Sequence, residues 1–262
     1  PAPQHPSSSR RIVMRKLNPI AALVHTLTAL GRFWPEGLRI GLPWVGIIVL
    51  TNALLWWWSG GQTAAMVQPG LADVAAALVS LIAVSAMAVK WHRFILRDDM
   101  PDAAGIIRLD APVWRYALTT LIMMLVSLVP PLALMLAVAQ AAPAYIIFTV
   151  IPVFLASILI LRLSLTLPAI ALGRKDLGFK QALDASASNF GPLAFLTLLN
   201  ACILLAALLI ANTAMGLFVH GAPSLVPAAM FVIALPLNLF LALFSITLST
   251  TLYGFFVEQR EF

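Results

Sequence analysis

Charged residues are scarce in this 262-residue chain: 16 Lys and Arg and 10 Asp and Glu make up only 10% of it. A water-facing surface normally needs roughly 25–35% charged residues, so an ordinary soluble globular fold is excluded. With 61% of the residues hydrophobic, the solvent for most of the chain must be lipid. Cysteine is scarcer still. The single Cys202 excludes an intramolecular disulfide and a thiolate metal cluster, and its apolar surroundings predict a buried, inert thiol.

Catalytic and cofactor signatures are also missing. The four His, at positions 5, 25, 92 and 220, lack metal-ligand spacing. No Gly-rich phosphate loop follows a strand, and no Ser, His and acid fall where a triad could be argued. We therefore expect no metal, no cofactor and no catalysis by this chain. The first nine residues are polar and proline-rich, with no signal-type apolar run behind them. They predict a disordered basic cytoplasmic tail over 1–16, without a cleaved signal, its leading Pro following a removed initiator Met.

What the sequence has in abundance is long apolar runs. Six of them, at 39–58, 71–89, 113–139, 144–161, 192–213 and 225–253, meet the roughly 20 residues a helix needs to cross about 30 Å of hydrocarbon. Continuous runs argue against a barrel, whose strands would alternate with period two. The expected fold is an all-α polytopic membrane bundle over 17–258: six transmembrane helices in three hairpins, with short amphipathic interfacial helices and a brief C-terminal end at 259–262.

Charge placement orients it. Every Lys and Arg falls in the N-terminal region, in the second-to-third or fourth-to-fifth connection, or at the C-terminal end; the other three connections hold none. By the positive-inside bias both termini are cytoplasmic. The net charge of +6 is then explained by topology and attraction to anionic lipid, and no nucleic-acid partner is expected. Trp56, Trp57 and Trp58 are placed at the outer boundary, and Trp34, Trp44, Trp91 and Trp114 near inner ones.

Short amphipathic pieces precede the outward-going spans at 18–31, 106–114 and 176–189. In the first, Ile20, Leu23, Val24, Leu27 and Leu30 share a face opposite His25, Thr26 and Thr28, with Asn18 as N-cap and Pro19 at the first helical position. Asp176 is the expected cap of the third.

Few residues inside the spans carry chemistry. Asn200 and Asn238 fall at similar depth if the last hairpin turns between about 213 and 225, which predicts an interhelical hydrogen bond. Pro130 and Pro131 lie at the height of Pro152, and Pro236 at a comparable depth, so helix kinks are expected there. No charge lies near the centre of a span, which weighs against ion-coupled transport. At the inner boundary, Lys90, Trp91, His92 and Arg93, together with Arg162, suit the phosphates of anionic inner-leaflet headgroups. Asp98, Asp99 and Asp102 are nearby and available to pair with Arg93 or Arg97.

The runs Trp91-His92-Arg93-Phe94-Ile95-Leu96, Arg108-Leu109-Asp110, Trp114-Arg115-Tyr116, Arg162-Leu163-Ser164-Leu165-Thr166-Leu167-Pro168 and Gly178-Phe179-Lys180-Gln181-Ala182-Leu183 resemble a broad group of six-helix bacterial inner-membrane proteins. That group is similar to the membrane domain attached to some glycerophosphodiester phosphodiesterases. The resemblance implies a bacterial cytoplasmic-membrane location and a non-catalytic membrane module. Phosphodiesterase activity does not carry over, because the chain has no hydrolase domain. The expected function is a non-enzymatic scaffold or accessory subunit that engages membrane lipids, a membrane protein partner or a second copy of itself. The alternative is a carrier or channel for a lipid-like or small hydrophobic solute.

Overall fold

A backbone surrounded by hydrocarbon has no water to bond its N–H and C=O groups, so long apolar runs fold as helices that satisfy themselves. The computed structural model describes residues 15–58, 70–139, 143–221, 233 and 235–261, with no strand among them. Helix α1 spans Pro19–Arg32, α2 Trp34–Trp58, α3 Leu71–Arg97, α4 Ala103–Ile107 and α5 Ala111–Ala139. Then come α6 Pro143–Leu163, α7 Thr166–Ala171, α8 Phe179–Ala185, a 3-10 turn Ala187–Asn189, α9 Phe190–Gly221 and α10 Leu235–Phe256. Six helical segments are long and apolar enough to cross a membrane.

Local chemistry sets the short elements. Asn18 caps α1, its Oδ1 accepting from the N–H groups of Ile20 and Ala21 at 3.1 Å, with Pro19 in the first turn. The buried face of this helix is not the expected one. Ala22, Thr26 and Leu30 are buried, whereas Ile20, Val24 and Leu27 are exposed. Thr26 is drawn inward because its hydroxyl lies 2.8 Å from the Ala22 carbonyl and 3.1 Å from the Thr251 hydroxyl. A small and polar edge of α1 thus packs on α10, and an apolar stripe is left outside.

The second amphipathic piece is split, with α4 ending at Ile107 and α5 starting at Ala111. At the third, Gly178 and not Asp176 is the N-cap, its N–H donating to Gln181 Oε1 at 3.1 Å. Asp176 pairs instead with Arg174, whose guanidinium holds the carboxyl down to about 2. Arg15 and Lys16, expected in the disordered tail, are tied down: they donate to the carbonyls of Gln259 and Ser188 at 3.1 and 3.2 Å.

Helix α10 is the axis of the packed region, with Leu243, Phe244 and all of residues 246–256 buried. Ile40, Trp44, Met87, Trp91 and Val113 share one core with it, and Ala22, Ile158, Leu193 and Leu196 share another. Its most extensive neighbours are α1 and α3, while its contact with α9 is slight. The approach of α2 depends on two glycines one turn apart. A Cβ on Gly41 would come within 2.8 Å of Leu239 Cδ1, and one on Gly37 within 3.0 Å of Leu243 Cδ1. Small residues at this spacing let helices in lipid come close enough for dispersion contacts.

Candidate functional site

Lys90, Trp91, His92 and Arg93 form the last full turn but one of α3, and the fold carries Trp91 and His92 into the core. Both are fully buried. Trp91 Nε1–H donates to Thr247 Oγ1 at 2.9 Å. His92 has Nδ1 at 2.8 Å from Thr250 Oγ1 and Nε2 at 3.2 Å from the Tyr116 hydroxyl. Thr250 already donates its one proton to the Ile246 carbonyl at 2.8 Å. Its oxygen can therefore only accept, which places the imidazole proton on Nδ1 and makes Nε2 the acceptor of Tyr116 O–H.

The partners come from a hydroxyl run on α10 that sequence reasoning did not single out. Thr247 meets Trp91, Thr250 meets His92, Thr251 meets Thr26, and Ser249 donates to the Ser164 carbonyl at 3.0 Å. The signal was available as Ser245, Thr247, Ser249, Thr250 and Thr251 within an otherwise apolar run. In lipid such side chains join helices, because the alternative is an unsatisfied polar group in hydrocarbon.

The arginines serve a different end of the same problem. A helix C-terminus leaves carbonyls without partners and carries the negative end of the dipole. Arg93 Nε donates to the Ala171 carbonyl at 2.8 Å and Arg97 Nη2 to Leu172 at 3.0 Å, closing α7. Arg162 Nε donates to Ser186 Oγ at 2.9 Å and Nη2 to the Leu183 carbonyl at 2.6 Å, closing α8. Arg260 Nη2 reaches Leu96 near the end of α3 at 3.2 Å. Hydrogen bonds of this charged kind are worth about 1.5–3 kcal/mol each. Asp102 caps α4 through the Gly105 N–H at 2.7 Å, and Asp98 ends α3 in the left-handed conformation, so neither is the partner of Arg93.

That partner is Asp110. Arg93 Nη1 donates to its Oδ2 at 3.1 Å, and Lys90 Nζ faces its Oδ1 at 3.6 Å, with the Lys90 side chain only 5% exposed. At that separation the ion pair is longer than a hydrogen bond, and Oδ1 is buried with no hydrogen-bond partner. These three residues, with Arg108 and Asp99, line a polar cavity of about 160 Å³ at the break between α4 and α5. Three cations against two carboxylates leave it with a net positive charge, and the Arg108 side chain makes no hydrogen bond or ion pair to another described residue.

A second cavity, of about 320 Å³, lies between α5, α6, α9 and α10 and includes Thr120, Ser157, Asn200 and Ser249. Thr120 Oγ1 and Asn200 Oδ1 are buried in it without a hydrogen-bond partner, a condition that costs about 1–3 kcal/mol per group. Asn200 and Asn238 are not hydrogen-bonded to each other among the described residues. Helix α9 continues to Gly221 instead of ending near 213, and Asn200 lines a cavity with Ser245 and Ser249 of α10, not with Asn238. Pro152 lies inside α6. Pro236 lies near the start of the described part of α10. Helix α5 runs through Pro130 and Pro131, whose side chains lie outside the described residues.

Cys202 is exposed on α9 and not buried. An apolar run in lipid does not distinguish a core-facing from a lipid-facing position, and α9 is apolar all round. Of the tryptophans expected at boundaries, Trp44 and Trp91 are buried, while Trp57, Trp58 and Trp114 are exposed and Trp56 lies outside the residues whose side chains are described. Among the described residues no group of three or more His, Cys, Asp or Glu side chains comes together. The chain matches no protein-family model, no curated protein and no solved structure. What stands established is the class: an all-helical protein with six helices fit to span a membrane.

Proposed function

We propose that this chain is a non-enzymatic integral membrane protein, a scaffold or accessory subunit of the bacterial inner membrane, that holds an anionic headgroup at the Lys90 cavity. In this reading the six helices form three transmembrane hairpins with both termini cytoplasmic. The positive-inside rule supports that orientation, since the regions free of Lys and Arg alternate with those that hold all 16. The polar contacts support it too, because the basic segments meet at one end of the bundle.

The observation that carries the headgroup assignment is the cavity itself. Lys90 is nearly enclosed and its ion pair to Asp110 is long, at 3.6 Å, so the ammonium has donors left over for a phosphate oxygen. Arg108 supplies a second free cation at the rim. Arg93 is committed to Asp110 and Ala171, and Arg162 to α8, so the charge that binds lipid is Lys90 with Arg108. Trp91 and His92 contribute as buried struts that fix Lys90 in place. The carrier alternative needs a route past the prolines, and neither Pro152 nor Pro236 lines either cavity.

Arg108→Gln tests this, because the guanidinium makes no hydrogen bond or ion pair among the described residues. In nanodiscs containing phosphatidylglycerol, native mass spectrometry should find several-fold less retained lipid than in the parent protein, with an unchanged thermal unfolding midpoint. Equal retention would refute the assignment. Competition by inorganic phosphate in detergent, without loss of phosphatidylglycerol in nanodiscs, would identify a free anion as the ligand instead.

A further inference from the structure

The cavity between α5, α6, α9 and α10 shares no residue with the Lys90 cavity and is built from the opposite chemistry. None of its lining side chains is charged, and its walls are mainly aliphatic, methionine and hydroxyl groups. The hydroxyls are oriented alike. Ser127, Ser157 and Thr197 each donate to a carbonyl of their own helix at 2.8 Å, and Ser249 donates to the Ser164 carbonyl at 3.0 Å. A hydroxyl that has given its single proton to the backbone offers only lone pairs to whatever sits beside it. Asn200 Oδ1 adds a buried acceptor with no partner, and Thr120 Oγ1 is unpartnered as well.

The site is therefore polar but without charge, and its buried Asn200 Oδ1 and Thr120 Oγ1 call for a donor. A phosphate or carboxylate would find no cation there, and an ammonium would find no counter-charge. A head that brings its own O–H satisfies the orphaned oxygens, while an apolar tail suits Met123, Met124 and Leu161 on the walls. A volume of about 320 Å³ is at the small end for a ligand site. It fits a head and the start of a chain, with the remainder of the chain in the bilayer.

We propose that this cavity binds a neutral lipid with a free hydroxyl head, of the diacylglycerol class, which donates to Asn200 Oδ1 and Thr120 Oγ1. The test compares 1,2-dioleoylglycerol with its 3-acetyl ester in nanodiscs, two neutral lipids that differ in whether the head can donate. Native mass spectrometry should find the free alcohol retained about fivefold over the ester, the effect of one neutral hydrogen bond. The Thr120→Val/Asn200→Leu variant should lose that preference. Equal retention of alcohol and ester by the parent protein, or a preference unchanged in the variant, overturns the proposal and leaves a bilayer acyl chain as the occupant. Thr120→Val alone preserves shape and serves if the double variant fails to fold: a smaller preference supports the proposal, and an unchanged one overturns it. Because phosphatidylglycerol retention depends on Arg108 and not on Asn200, failure here is distinguishable from failure at the Lys90 cavity.

Discussion

The two halves of α3 differ in composition and in surroundings: the first is almost wholly apolar, and the second carries Lys90, His92, Arg93 and Arg97. From Ser85 to His92 every residue is buried, whereas Leu71, Val74 and Leu78 near its start are exposed. The contrast extends across the molecule. At the basic end, α10 is enclosed on all sides and its hydroxyls bond Trp91, His92 and Thr26. Toward the opposite end, Trp57, Trp58 and Leu217 are exposed, Trp58 at 83%. Apolar character does not decide burial here, because lipid and protein interior are equally apolar and the more polar half of α3 is the buried one. Directional contacts do: the end that is packed is the end where hydroxyls, carbonyls and guanidinium groups meet.

If that contrast is energetic, substitutions should sort by end. The largest loss is expected for Asp110→Asn, which leaves Lys90 and Arg93 part-buried without their counter-charge. Breaking a buried pair from one side costs about 3–5 kcal/mol, while Lys90→Met combined with Asp110→Leu should recover much of it. Unfolding of both variants in matched nanodiscs checks the pair, and a neutral Asp110→Asn would break the comparison. Arg162→Gln comes next, at about 1.5–3 kcal/mol, since it removes bonds to Ser186 and Leu183. Local hydrogen exchange in α8 should rise with it. At the other end Trp58→Ala should change stability by no more than about 0.5 kcal/mol; a loss comparable to that of Arg162→Gln would show that the exposed end is also under structural load.

Much of the helical layout was legible from composition. The starts of α2, α3, α5 and α6 lie within a few residues of the expected spans, because about 20 apolar residues in lipid leave the backbone one solution. What was not legible depends on which side of a helix meets protein. Thr26 looked like the wet face of α1 until Thr251 on α10 supplied a partner from the far end of the chain. Trp91, beside cations, fits a headgroup layer by its amphipathic character alone; only the approach of Thr247 makes it a core residue. The sequence groups the basic residues by connection, yet that grouping could not reveal that Arg93, Arg97 and Arg162 are spent on helix ends. Asn200 and Asn238 were paired on the assumption that α9 ends near 213, whereas it continues to Gly221.

The central claim is that hydroxyl groups of α10 fasten α3 into the core at the basic end. Thr247→Val combined with Thr250→Val tests it most directly, since valine keeps the shape and β-branching while removing the acceptors of Trp91 Nε1 and His92 Nδ1. Two buried donors are then orphaned, each at a cost of about 1–3 kcal/mol. The unfolding midpoint of the double variant in nanodiscs should fall well below that of the parent protein. A midpoint equal to or above the parent's would contradict the account, showing that apolar packing alone holds the two helices together.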